Sequence, residues 1–363
     1  MRLTAEQIRQ GLLHDDIGVR QHCLQYFTNV WTRDESVMPI VTQVIHARGP
    51  DAFDYFYDIE RLPQSEATIE WLILSLRQAP ELFEDRMTVD FRPGVLTHAS
   101  GKLLQRYRDD ILLVLPTDYL EFVNRRLRFL SESPAALWER LETRCAEYES
   151  GKSWLDYFPD DEADDLVTSL AELRCIPIDR MMTLLQPKVP EDEDSALKWL
   201  QPKLVLLAGL IRHEPVLPIL IEKLRGDHDA LSAASSTAMV RLGTDDVLRA
   251  IEICFLKEGW SWQLYATCAL YINSDEAVRL AAALLQSDSP EEDIRQRIAC
   301  CLARQFSTEG LEAVGKYLDT RADWLHDTAL TETLSATQAT ARLLQVDLPR
   351  FDHWQTQLSE ATG

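Results

Sequence analysis

Eight histidines, seven cysteines and 59 acidic side chains supply the candidate chemistry of this chain, and their spacing decides most of it. His213-Glu214 is the single His-Glu dipeptide; the other histidines precede Asp15, Cys23, Ala47, Ala99, Asp229, Asp327 and Trp354. A di-iron centre needs several imidazoles and carboxylates converging on two metals, and one pair does not supply them. His213 and Glu214 therefore read as a turn residue and an acid at the positive start of a helix. Cys23, Cys145, Cys175, Cys254, Cys268, Cys300 and Cys301 sit in apolar helical stretches without C-x-x-C spacing, which reads as buried reduced thiols and not as a zinc site. The acidic runs at 160–165 and 191–194 lack the Asp-x-Asp-x-Asp-Gly order of a calcium loop and read as solvated or helix-starting charge. No Gly-rich phosphate loop, Gly-x-Ser-x-Gly elbow or H-E-x-x-H motif is present. No catalytic residue, cofactor or metal is expected, and the chain reads as a non-enzyme.

Two clusters point to binding instead. Arg125, Arg126 and Arg128, with Arg106 and Arg108 nearby, form the densest basic patch, suited to an anionic partner such as nucleic acid or to pairing with neighbouring acids. Trp260, Trp262 and Tyr265 place aromatics at a turn between helices, where they either pack internally or anchor a partner. Charge weighs on the choice. Against 37 Lys and Arg stand 59 Asp and Glu, a net charge of −22 that repels nucleic acid and anionic membranes. The same field favours a protein or peptide partner with basic segments. Apolar runs such as 111–115 and 204–211 fall well short of a membrane span, and the first residues lack an apolar signal core. A cytoplasmic protein is expected; its oligomeric state cannot be read.

The elements that must position these residues are helices. Ile8, Leu12 and Leu13 share a stripe, as do Val216, Ile219, Leu220 and Leu224, whereas only 87–91 alternates like a strand. Thr4-x-x-Gln7 and Ser289-Pro290-x-Glu292 read as capping boxes, and Ser65 and Ser133-Pro134 as further helix starts. A turn recurs after Ile211, Leu242, Ile272 and Phe306, at intervals of 31, 30 and 34 residues. A period of this size marks helix pairs that bury their apolar faces against neighbouring pairs. Irregular segments are expected near 81–101, at 148–159 and at 187–194.

The stretch 215–243, with Pro215-Val-Leu-Pro-Ile-Leu-Ile-Glu-Lys-Leu, then Arg225-Gly-Asp-His-Asp, then Ala230-Leu-Ser-Ala-Ala, closely resembles a HEAT repeat. Residues 5–24, with the pair Val19-Arg20, look like the same unit. The C-terminal half also resembles the PBS-lyase-like (bilin lyase) HEAT repeats. The resemblance implies an all-α, right-handed α-solenoid of stacked antiparallel helix pairs (HEAT/ARM-like), about nine to eleven of them. The expected division is an N-terminal repeat block at 1–186, an acidic linker at 187–194 and a C-terminal block with a capping helix at 195–363. The implied function is a non-catalytic scaffold or adaptor binding a protein or peptide in its groove. The alternatives are an enzyme of lyase-like or metal-dependent type on a HEAT scaffold, or nucleic-acid binding through the Arg patch. Fold resemblance alone does not choose among activities.

Overall fold

The computed structural model describes residues 1–54, 59–80, 90–147, 161–188, 195–226, 228–256, 260–287, 290–321 and 328–362. Among them every regular element is a helix, and the sole extended pairing is an isolated bridge between Arg2 and Ser307. The chain divides into two compact units, Met1–Leu62 with Gly243–Gly363, and Pro63–Leu242. These limits differ from the division expected at 187–194, of which 189–194 lie outside the described residues. No described helix is long and apolar enough to cross a membrane.

The first unit opens with α1 (Ala5–Gly11), α2 (Ile17–Asn29) and α3 (Val37–Arg48). Thr4 and Gln7 close the expected capping box, and the Asp16 carboxylate caps α2 by accepting from the Val19 amide. Arg20 is buried, donating to the carbonyls of His14, Asp15 and Ala52 at 2.7–2.8 Å. The Arg of the Val-Arg pair thus supplies donors to carbonyls of the α1–α2 connection and of the 3-10 turn Pro50–Ala52.

The second unit comprises α4 (Glu66–Gln78), α5 (Phe91–Thr97), α6 (Gly101–Arg106), α7 (Arg108–Val114), α8 (Thr117–Phe129), α9 (Pro134–Ala146), α10 (Asp161–Leu173), α11 (Ile178–Leu185), α12 (Ala196–Leu210), α13 (Leu217–Leu224) and α14 (Asp229–Leu242). Ser65 caps α4, and Ser133 caps α9 with Pro134 in its first turn, as read from the sequence. Residues 91–97, inside the span 81–101 expected to be irregular, are helical, and α6 begins at its end; 81–89 lie outside the described residues. Asp90 caps α5 and satisfies the start of a short helix that Pro93 and Gly94 would otherwise weaken. Helices two apart in sequence pack on each other, α8 on α10, α10 on α12 and α12 on α14. At the last crossing Gly209 lies so close to Ala238 that a Cβ there would sit 2.6 Å from the Ala238 Cα.

The first unit resumes with α15 (Asp245–Phe255), α16 (Trp260–Thr267, continued by a 3-10 turn Cys268–Tyr271), α17 (Asp275–Leu285), α18 (Glu292–Ala303), α19 (Thr308–Thr320), α20 (Thr328–Leu344) and α21 (Phe351–Thr362). Ser289 lies outside the described residues, and Glu291 flanks α18 without a side-chain cap, so Pro290 falls before the helix. Again helices two apart pack together, α15 on α17 on α19 in one row and α16 on α18 on α20 in another. The α2 helix packs on α20 and extends the second row across the two ends of the chain. The Leu3 amide donates to the Phe306 carbonyl at 2.9 Å and the Thr308 amide to the Met1 carbonyl at 2.8 Å. The Tyr26 ring meets Phe306 edge-on at 6.0 Å.

Candidate functional site

The second row of the first unit carries a strip of polar side chains across four packed helices. At its centre lies Arg304, one residue past α18, in a helix end otherwise lined by Ala299, Cys300, Cys301, Leu302 and Ala303, all buried. Its Nη1 donates to the Tyr271 hydroxyl at 3.2 Å and its Nη2 to Glu332 of α20 at 3.0 Å. The guanidinium carbon also stands 5.9 Å from the Tyr271 ring centroid. One turn along α20 from Glu332, Ser335 shares a 2.9 Å hydrogen bond with His22 Nε2 of α2. Side chains distant in sequence are thus linked because α16, α18, α20 and α2 lie side by side.

Burial sorts the groups. The Arg304 side chain is 9% exposed, whereas Glu332 is 50% exposed, so the ion pair opens toward solvent on the α20 side. Burial opposes the charge of Arg304, while the Glu332 carboxylate beside it favours that charge, and the guanidinium stays above its ordinary value. His22 is pushed down to about 3, first by burial and then by Arg304, and stays a neutral imidazole at physiological pH. Burial raises the Cys300 and Cys301 thiols and the Tyr271 phenol, so they are neutral hydrogen-bonding groups and not nucleophiles. The strip thus holds one ion pair and neutral hydrogen-bonding groups.

The residues singled out in the sequence fall elsewhere. Tyr265 is partly buried on α16; Trp260 and Trp262 begin that helix, and their side chains lie outside the described residues. At the end of α15, Ile253 and Leu256 are exposed, at 41% and 70%. In the second unit Arg126 is almost fully buried, donating to the carbonyls of Thr97 and Ala99 at 2.6 and 2.8 Å and to Glu172 at 3.0 Å. Arg125 pairs with Asp165 at 2.7 Å. Only Arg128 of the three is exposed, its guanidinium 5.2 Å from the Phe129 ring centroid. The acidic run opens α10, the helix-starting place that was one of its two expected readings, but it is not simply solvated: Asp164 meets the buried Lys203 at 2.7 Å. Burial outweighs the Arg partners and raises the carboxyls of Asp165 and Glu172. His213 and Glu214 occupy the turn before α13, the start of which is a 3-10 turn. Among the described residues no three His, Cys, Asp or Glu side chains are placed to hold a metal ion.

Sequence reasoning missed His22, Arg304, Glu332 and Ser335. Arg304 looks like an ordinary cation at a helix C-terminus, and no sequence signal joins position 22 to position 335.

No family model matches the chain, and no curated protein matches it. Among solved structures, one described as an engineered protein aligns over 95% of this chain and 99% of its own length, at 12% identity and a TM-score of 0.31. A likeness at that level carries no argument about fold or function.

Proposed function

We propose that this chain is a non-catalytic HEAT-type right-handed α-solenoid that holds a protein or peptide along the polar strip of its first unit. The observation that carries the reading is the row α16, α18, α20 and α2, along which Tyr271, Arg304 and Glu332 form one bonded group and Ser335 and His22 another, one turn apart on α20. Helices packed in rows on helices two apart, with turns recurring near every 31 residues, are in keeping with the arrangement from which solenoids build extended binding faces. The raised thiols and depressed imidazole support binding over catalysis. The nucleic-acid alternative draws on Arg125 and Arg126, whose guanidinium groups are engaged by internal acids and carbonyls.

The test is native co-purification at low salt, followed by binding of the identified partner to purified variants. Gln338→Trp on α20, beside the strip, should weaken the partner more than about tenfold, because its bulk blocks the strip without adding charge. Glu312→Arg on α19, in the other row, should leave it unchanged. A partner indifferent to Gln338→Trp, or co-purification of a metal, pigment or nucleic acid without protein, would overturn the proposal.

A further inference from the structure

A guanidinium sunk among apolar residues costs stability unless its partners compensate it fully, and apolar replacement of such a pair is often neutral or stabilising. Arg304 is sunk in this way, yet Glu332, the one carboxylate paired with it among the described residues, is half exposed and has beside that pair only a 3.9 Å contact from the Cys300 thiol, so it is a weakly held counter-ion. Its Nε has no hydrogen-bond partner among the described residues. Two further groups on the strip, the Tyr271 hydroxyl and the Ser335 hydroxyl, are neutral, and His22 beside them adds no competing charge. The planar fork of Arg binds carboxylates through two parallel hydrogen bonds, which one bond from Nη2 to Glu332 does not exhaust.

We infer that Arg304 is the anchor for a carboxylate of the bound peptide, an Asp or Glu side chain or a C-terminus, and that Glu332 is the internal stand-in the peptide displaces. The inference rests on the peptide-holding reading above and names its key chemistry. Displacement is inexpensive because Glu332 moves from a half-solvated position into water, while the incoming carboxylate satisfies the buried cation. The net charge of −22 acts on encounter with the whole chain; the carboxylate anchor acts at one position after encounter.

The first arm uses acetate as the probe on full-length protein. Glu332→Ala leaves Arg304 without its counter-ion, so acetate should raise its melting temperature saturably, beyond chloride at equal ionic strength. The wild type and the Arg304→Met/Glu332→Ala double variant should respond to both salts alike. The second arm selects a random dodecapeptide library on the wild type. Selected peptides should share an acidic position, bind Glu332→Gln about tenfold more tightly and Arg304→Lys about tenfold more weakly, the size of one charge-assisted hydrogen bond. Far-UV circular dichroism establishes that each variant is folded, and Arg304→Lys keeps the charge should Arg304→Met not fold. Acetate acting no differently from chloride on Glu332→Ala overturns the anchor alone. Selected peptides without an acid, or indifferent to Arg304→Lys, overturn it while leaving peptide binding intact; failure to select any peptide overturns both readings.

Discussion

His22 excludes a proton that the unfolded chain accepts, and that difference sets an acid limit on the first unit. Its folded value is depressed to about 3 from an ordinary 6.5, so between those values the unfolded state binds more protons and stability falls as pH falls. The full effect is on the order of 5 kcal/mol. His22→Gln should flatten the pH dependence of the denaturation midpoint between 6.5 and 3; an unchanged slope would refute the assignment. Asp165 and Glu172 have the opposite sign. Their folded values are raised, so the native state holds protons the unfolded chain has released, and stability falls as pH rises past the ordinary carboxylate range. Arg126 is the second sensitive position. Arg126→Met removes donors from two carbonyls and strands the partly buried Glu172, which should cost about 2–4 kcal/mol in chemical denaturation. A loss under 1 kcal/mol would mean that water replaces the guanidinium.

Helix ends repeat with the same geometry, and helix crossings decide what may stand at their contacts. At the ends of α2, α12 and α20 the residues Trp31, Arg212 and Gln345 adopt φ of 49, 52 and 56. In each the following amide reaches back five residues, Thr32 to Phe27, His213 to Ala208 and Val346 to Ala341, the Schellman closure. A side chain in this left-handed conformation costs about 1–2 kcal/mol relative to glycine. Gln345 is exposed and makes no packing that would be lost, so Gln345→Gly should stabilise the fold by about 1 kcal/mol, read from the melting temperature. Gly209→Ala should do the reverse. Helix propensity favours alanine by about 1 kcal/mol, but the new methyl would meet backbone and side-chain atoms of Ala238 at 2.6 and 2.9 Å. Overpacking of this kind costs about 1–3 kcal/mol, and the net loss should appear in the denaturation midpoint. A gain would show that α12 and α14 separate freely.

The first unit is assembled from the two ends of the chain, and it should open as one. The α2 helix packs on α20, Asp16 pairs with Arg342, and Asn273 hydrogen-bonds to Tyr26. Hydrogen exchange should therefore show amides of 17–29 and 328–344 losing protection in the same step as denaturant rises. Exchange of 17–29 together with 66–129 instead would contradict this grouping. The acidic balance belongs to this scale as well: it acts on how partners approach and says little about which side chains they meet.

Local rules in the sequence determined the helices, their starts and their period. Thr4, Ser65 and Ser133 announce caps because a short polar side chain beside an apolar stripe satisfies amides that the helix leaves open. The elements 229–242, 245–255 and 275–285 follow from periodicity, since one apolar stripe must be buried against a neighbour. Only the tertiary structure decided which charges are internal and which segments are neighbours. The Arg cluster at 125–128 and the acids at 164–165 are each legible, but their pairing depends on α8, α10 and α12 lying together. Arg304, Glu332, Ser335 and His22 form one strip because α2 packs on α20, a contact between segments more than 300 residues apart. Periodicity reports which face of a helix is buried; it contains no information about which distant helix buries it.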